Sequence, residues 1–238
     1  MARIEGLSVV IPMRDEELCA QETVMEVLRV LHSLPFKHEI IAVNDHSSDA
    51  TAAVLEKLAS GNDNIRITHN HHSIGLGSSL RAGFLCASYD TILYTDADLP
   101  CKMDELKIAS ALMQEQGLDI VTAYKTTYGR SAVRRRLYSF VYNGLINTLF
   151  GVKLRDINFS FKLFRRDKLN KLGLKSEGSF INAELFIKAR RAGYRIAEFP
   201  VRYLPRIKGK SKLDNLGNIR KIICEMLFFI LSKNAYKK

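Results

Sequence analysis

The stretch Tyr94-Thr95-Asp96-Ala97-Asp98 closes an apolar run with two carboxylates two residues apart. A hard divalent cation takes oxygen ligands, and Mg²⁺ or Mn²⁺ commonly joins one or two carboxylates to substrate phosphates instead of being caged by protein. In that chemistry Asp98 is the metal ligand, and Asp96 orients a nucleotide ribose or a metal-bound water. A bare Asp-x-Asp also suits a solvated turn, so its weight comes from its company. Val43-Asn44-Asp45-His46-Ser47-Ser48-Asp49 is a second apolar run that ends in acid. There Asp45 can accept hydrogen bonds from a base or ribose, while Ser47, Ser48 and Asp49 can cap a following helix. Ile11-Pro12-Met13-Arg14-Asp15-Glu16-Glu17 is the third, with Pro12 stiffening the exit and Glu16 in the first helical turn. Three acidic strand ends outline a nucleotide pocket better than any one of them does.

Carboxylates so placed need a scaffold that gathers strand ends. The first third of the chain alternates β-branched apolar runs with amphipathic stretches, the pattern of a parallel α/β sheet. Strands are expected at Leu7–Ile11, Glu39–Val43, Ile65–Thr68 and Thr91–Thr95, separated by helices at Asp15–His32, Asp49–Ala59 and about Ser78–Ala87. Such a unit binds ligands at the carboxyl ends of its strands, where the three acidic stretches fall. Beyond Asp98 the spacing predicts helices at Met103–Gln116, Arg134–Phe150 and Ile181–Ala192 and strands at Ile120–Tyr124, Phe159–Phe164 and Arg195–Tyr203. A last helix, Leu213–Leu231, carries the apolar run Ile222–Leu231, interrupted by Glu225. That run is short of the roughly 20 apolar residues that span a bilayer. With Arg220-Lys221 and a basic tail as flanks it suits a membrane surface, the alternative being a helix packed on the domain or on a second copy.

The 238 residues are enough to bury a substantial core, and 47% hydrophobic with 26% charged residues excludes both a disordered tail and a multi-span membrane protein. The net charge of +11 is unevenly spread: Lys125 to Lys175 holds thirteen basic and two acidic residues, and Pro200 to Lys238 ten and two. A basic surplus of this size implies an anionic partner. Cys19, Cys86, Cys101 and Cys224 are scattered and no secretory signal opens the chain, so a reducing, cytoplasmic setting is expected. His69, His71 and His72 share one loop without the ligand spacing of a zinc site. Gly75-Leu76-Gly77 before a helix could cradle phosphate, but it lacks the dinucleotide fingerprint and reads first as a tight turn. Tyr138, Phe140, Tyr142 and Phe150 read as core or lipid-facing rather than base-stacking.

Taken in order, Pro12-x-x-Asp15-Glu16, Asn44-Asp45-x-Ser47-x-Asp49, Gly75-x-Gly77 with Arg81-Ala82-Gly83, and Asp96-Ala97-Asp98-Leu99 resemble the family 2 glycosyltransferases of GT-A fold. The likeness continues through Arg155-Asp156-Ile157-Asn158-Phe159-Ser160-Phe161-Lys162-Leu163-Phe164, Glu184-Leu185 and Arg206-x-x-Gly209-x-Ser211, where it is similar to the polyprenyl-phosphate and dolichyl-phosphate mannosyl- and glucosyltransferases. The resemblance implies a Rossmann-like, mostly parallel nucleotide-binding sheet with a basic acceptor-side C-terminal part. It divides one GT-A domain into a nucleotide-sugar half at 1–100, an acceptor half at 101–212 and a C-terminal amphipathic helix at 213–238. It assigns Pro12, Glu16 and Asp45 to the nucleotide, Asp96 to ribose or metal, and Asp98 to Mg²⁺ or Mn²⁺. Arg130, Arg134, Arg206 and Lys212 fall where related enzymes approach the donor diphosphate or acceptor phosphate. Two positions depart from the pattern: Pro100-Cys101-Lys102-Met103 stands where relatives often carry Gln and a Pro pair, and Ser160 where many carry Gly.

The implied reaction moves a hexose, with inversion, from a nucleotide-diphosphate sugar to a polyprenyl phosphate at the cytoplasmic membrane face. A cation and several Arg or Lys side chains suit the charge that builds on a leaving diphosphate. A phosphate acceptor is already ionised near neutral pH, so Asp156 and Glu184 need only orient groups. The alternative acceptor, a sugar or polysaccharide hydroxyl, needs a base, and Glu184 or Asp156 is then the candidate. Arg135 and Arg136 read as solvated helix residues, because three consecutive positions do not share one face. A nucleic-acid-binding module would account for the charge but not for three acidic strand ends, so no nucleic-acid partner is expected. A second copy or a membrane partner protein is left open.

Overall fold

The computed structural model describes residues 3–72, 75–127, 133–205 and 216–232, with the backbone course alone at 133–136 and 216–220. Seven strands form one sheet, in chain order β1 (Gly6–Met13), β2 (Lys37–Asn44), β3 (Ile65–His69), β4 (Thr91–Thr95), β5 (Ile120–Lys125), β6 (Phe161–Arg165) and β7 (Ile196–Val201). The helices are α1 (Ala20–His32), α2 (Thr51–Ser60), α3 (Leu76–Cys86), α4 (Glu105–Glu115), α5 (Val133–Phe150), α6 (Arg166–Lys171), α7 (Ile181–Arg191) and α8 (Leu216–Leu231).

The spatial order is β3-β2-β1-β4-β6-β5-β7, with β6 antiparallel to both its neighbours and the other pairings parallel. Both faces of the sheet are covered, which is why its strands read as near-continuous apolar runs. Val9, Ile11 and Leu93 pack against α1, α2 and α4, whereas Val10, Ile41, Ile92 and Tyr94 pack against α3 and α7. Helix α3 lies close on the sheet because position 83 is glycine: a Cβ there would meet a Val43 methyl at 2.9 Å and a Val10 methyl closer still.

Two features of this topology place the site. The chain runs outward from β1 through β2 to β3 and then returns to the other side of β1 as β4, so the direction of winding reverses between β1 and β4. The crevice at the carboxyl ends of those strands is where open α/β sheets take ligands. The second feature is β6: its antiparallel register pairs Phe161 with Thr95, which brings the start of β6 to the end of β4. The loop before β6, with Asp156, therefore meets the same edge as Asp96.

Several expectations shift. The helix expected from Asp15 begins at Ala20, because residues 17–19 form a turn. Helix α6 and the reversed direction of β6 were not anticipated. Ser47, Ser48 and Asp49 were candidate caps for α2, yet Ala50 is its N-cap and makes no side-chain cap bond. Ser47 and Ser48 bond to the neighbouring Asp15 loop instead, while Asp49 does accept the N–H of Thr51, the first residue of α2.

Candidate active site

Three non-glycine residues with positive φ stand just past the ends of β1, β2 and β4: Asp15 (48°), His46 (54°) and Leu99 (43°). Backbone held in this sparsely populated region gathers where the surroundings over-determine it. Here the surroundings are a lattice between loops. Asp15 N–H donates to Ser47 Oγ (3.1 Å) and Glu16 N–H to Thr51 Oγ1 (2.7 Å), while Ser48 N–H returns a bond to Asp15 Oδ1 (2.8 Å). Asp49 accepts from the N–H groups of Glu17 (3.1 Å) and Thr51 (2.9 Å), and these bonds outweigh its desolvation and hold its carboxyl below the usual range. Much of this acidic sequence is thus spent on fixing the exits of β1 and β2 relative to each other.

The candidate ligand-binding side chains stand on this lattice. Pro12 lies half-buried in β1, and Glu16, half-buried, accepts the Cys19 thiol at 3.3 Å. Asp45 is buried beside β1, its N–H bonded to Met13 O (2.8 Å) and its Oδ1 accepting Asn70 Nδ2 (3.2 Å). Asn70 was not singled out in the sequence. It also reaches Ser79 Oγ of α3 (2.9 Å) and donates its N–H to Asn44 O (2.9 Å), so it ties the nucleotide-side acid to a helix.

Asp96 and Asp98 are half-buried at the end of β4. Leu99 N–H closes their turn on Asp96 O (3.2 Å), and Thr23 of α1 donates its hydroxyl to Ala97 O. Tyr94 O–H donates to Asp96 Oδ1 at 2.8 Å; burial and the adjacent carboxylate push that phenol well above its ordinary pKa, so it stays protonated. Oxygen donors alone meet at this turn, and among the described residues no group of three or more His, Cys, Asp or Glu forms. That donor set fits Mg²⁺ or Mn²⁺, with the remaining ligands coming from phosphate and water.

Asp156, buried, pairs with Lys125 Nζ at 3.1 Å. Behind it lies Lys162 on β6, fully buried. Burial pushes its ammonium down to about 7 against the pull of Asp96 and Asp156. No periodicity marked this lysine as special, since its neighbours in β6 are apolar core residues.

Glu184 lies on α7 at 1% exposure. Its carboxylate accepts the N–H groups of Lys175 (2.9 Å) and Ser176 (2.7 Å) and pairs with Lys188 Nζ (2.6 Å). Burial raises its pKa, but those partners outweigh it and hold the group below 4.5. The 174–178 loop that Glu184 grips is seated on Gly75-Leu76-Gly77: Ser78 N–H donates to Glu177 O (3.1 Å), Arg81 donates to Lys175 O (2.8 Å), and a Cβ on Gly77 would collide with Ser176 O. The glycine pair therefore accommodates a neighbouring backbone. Arg130, Arg206 and Lys212 lie outside the described residues, as do the side chains of Arg134, Arg135 and Arg136. Leu204 N–H donates to Pro100 O at 2.8 Å, next to the Asp96–Asp98 turn.

Comparison with known proteins gives this edge its context. Residues 8–173 match the sequence model of the family described as glycosyl transferase family 2. Polyprenol monophosphomannose synthase of Mycolicibacterium smegmatis is 30% identical over 224 residues, covering 89% of this chain and 82% of that protein. Glycosyltransferase AglD of Haloferax volcanii is 33% identical over 90% of this chain, which spans 35% of AglD. Among solved structures, glucosyl-3-phosphoglycerate synthase of Mycobacterium tuberculosis with Mn²⁺, UDP and glucosyl-3-phosphoglycerate superposes with a TM-score of 0.71 at 20% identity, covering 94% of this chain and 79% of that one. The fold is GT-A. With the family match running from within β1 past the end of α6, and so through every acidic strand end, the chain belongs to glycosyl transferase family 2.

Proposed function

We propose that the protein moves a hexose from a nucleoside diphosphate sugar to a polyprenyl phosphate, with inversion, at the cytoplasmic face of a membrane. The observation that carries this reading is the state of the two carboxylates available as general bases. Glu184 is saturated by Lys188 and two backbone N–H groups, and Asp156 is paired with Lys125. A hydroxyl acceptor needs a base that it can reach and that is not already held by a cation, whereas Asp156 is buried and ion-paired. A phosphate monoester, with a second pKa of about 6, is largely ionised at neutral pH and needs none. Its oxygen forms the new bond to the anomeric carbon on the face opposite the leaving group. The bond from that carbon to the diphosphate oxygen breaks, and its electron pair departs with the nucleoside diphosphate. The polyprenol monophosphomannose synthase that resembles this chain supports the same acceptor class.

Pro12, Glu16 and Asp45 hold the nucleotide at the β1 and β2 exits, Asp96 orients ribose or the cation, and Asp98 binds Mg²⁺ or Mn²⁺. The cation, when bound, neutralises charge developing on the leaving diphosphate. Arg130, Arg134, Arg206 and Lys212 hold the donor diphosphate and acceptor phosphate, which gives the basic surplus of 125–175 and 200–238 its purpose.

No helix among the described residues is long and apolar enough to cross a membrane. Helix α8 instead docks on the domain: Met226 and Phe229 are buried, the Phe229 ring meets those of Phe150 (6.0 Å) and Phe180 (5.5 Å), and Glu225 accepts the N–H groups of Gly178 and Phe180 at the start of α7. Packing on the domain was one of the alternatives left open for this run, and Met226 and Phe229 follow it. What is left outward is a pair of stripes, Leu137, Val141, Leu145 and Leu149 on α5 and Ile223, Leu227 and Leu231 on α8, with Phe140 and Phe228 each 75% exposed. Apolar stripes flanked by Arg134-Arg135-Arg136, Arg220-Lys221 and the basic tail suit a peripheral seat on an anionic leaflet.

The test is a transfer screen over GDP-, UDP- and dTDP-sugars with Mn²⁺, run with and without polyprenyl phosphate. One donor is expected to yield lipid-linked sugar well above its rate of hydrolysis. Transfer to a saccharide hydroxyl, with no response to polyprenyl phosphate, overturns the acceptor assignment.

A further inference from the structure

We infer that Lys162 is a positioning residue for the transfer proposed above, on which this inference rests: from inside the sheet it fixes the Asp156 turn and the Asp96 strand end relative to each other. Lys162 lies in β6 opposite Tyr94 of β4 and Thr122 of β5, with none of its surface exposed. Its Nζ donates to the carbonyl oxygen of Phe159, the last residue of the turn that begins at Asp156, where Phe159 N–H donates to Asp156 O (3.4 Å). The same Nζ lies 5.2 Å from the centroid of the Tyr94 ring and 5.8 Å from that of Phe186 on α7. Tyr94 in turn holds Asp96 Oδ1 through its hydroxyl. One side chain thus has a hand on each acidic arm of the site, one through a carbonyl and the other through a ring.

Stability does not account for a lysine here. Burying an amine costs free energy that an apolar side chain of similar length avoids, and replacing buried charged groups by packed hydrophobic ones is often neutral or stabilising. The neighbouring positions of β6, Phe161, Leu163 and Phe164, follow the apolar rule. What Lys162 supplies, and a methionine would not, is an N–H donor for Phe159 and an electrostatic hold on both carboxylates. Glycosyl transfer depends on such alignment, since misplacement by about 1 Å can cost about 100-fold in rate.

Lys162→Met keeps the reach and removes the amine. In the metal-free protein, hydrogen–deuterium exchange is expected to quicken at residues 156–160 and 94–98 while the rest of the sheet and the melting temperature hold. With the donor found in the screen, kcat is expected to fall about 10- to 100-fold while the donor KM changes by less than about threefold. Tyr94→Phe should lower kcat too, and the double variant should be no worse than Lys162→Met alone, because both act through one path. Lys162→Arg, which keeps N–H donors, should recover local protection and most of kcat. If Lys162→Met fails to fold, Lys162→Arg and Tyr94→Phe decide: wild-type kcat in Tyr94→Phe, or no recovery in a folded Lys162→Arg, overturns the inference. So do unchanged exchange with unchanged kcat, or effects of the two substitutions that multiply. The exchange measurement needs no substrate, so the two failures are distinguishable: a wild-type protein inactive in the screen counts against the proposed function, and unchanged exchange in Lys162→Met counts against the hold by Lys162.

Discussion

At the scale of single residues, the acidic edge divides into carboxylates that hold the protein together and carboxylates that face a ligand. Under the proposed function Asp98 belongs to the second kind: half-buried at a strand end beside Asp96, it adds negative charge to an already acidic turn. Asp98→Ala is therefore expected to abolish Mn²⁺-dependent binding of UDP or GDP in calorimetry and to leave the melting temperature unchanged or slightly higher. Undiminished metal-dependent binding in that variant sinks the assignment. Glu184 belongs to the first kind. Its pKa is raised by burial but lowered further by Lys188 and Ser176, to a net value below 4.5. A carboxyl depressed in the folded state adds stability that is complete above the unfolded value and is lost as pH falls through the folded one. Glu184→Gln should thus cost about 2 kcal/mol at pH 7, the worth of charge-assisted hydrogen bonds. The gap from the native protein should shrink below pH 4.5. Urea unfolding at pH 7 and in the acid range reads both, and a gap that does not depend on pH would show that Glu184 acts through packing instead.

At the scale of elements, the 174–178 loop and α3 interlock through a glycine, and that sets opposite outcomes for two similar substitutions. Gly77→Ala drives a methyl into Ser176 O and should destabilise the protein by about 1 to 3 kcal/mol, as overpacking does. Gly144→Ala, exposed on α5 with nothing within 4 Å of its would-be Cβ, should stabilise by up to about 1 kcal/mol through helix propensity. Thermal denaturation of the pair tests the seating, and the same sign for both would refute it. The elements also show what the chain discloses before folding. Strands β1 to β4 were legible because a sheet covered on both faces demands β-branched apolar runs, and Val9-Val10-Ile11 and Ile40-Ile41 are such runs. The direction of β6 was not, since alternation along Phe161–Phe164 is the same whichever way the neighbours run. The acids of the β1 and β2 exits could be located but not sorted: whether Asp15 or Asp49 meets a ligand or a neighbouring N–H depends on loops over thirty residues apart. Asn70 lay outside every motif and Lys162 stood inside the Arg155–Phe164 run without being singled out, because their importance lies in what they touch.

At the scale of the whole molecule, the outward stripes of α5 and α8 can be tested together. The protein is expected to co-sediment with vesicles containing anionic lipid at low salt and to be released at high salt, each basic residue near the surface adding about 1 kcal/mol. Phe140→Ser with Phe228→Ser, both at exposed positions, should weaken that binding while leaving the melting temperature and hydrolysis of the donor intact. Retained vesicle binding by the double variant would place the contact elsewhere. The reversed strand bears on how such a molecule is made. Strand β5 precedes β6 in the chain but joins the sheet only through it, and β7 joins only through β5. On a ribosome, everything up to residue 160 emerges with the β4 edge open and β5 without a partner. An unpaired strand edge invites association with other chains until it is filled. A nascent chain stalled after β5 should therefore be aggregation-prone, and one released after Arg165 less so, so synthesis itself passes through a brief interval in which the β4 edge is open, ended by the strand carrying Lys162.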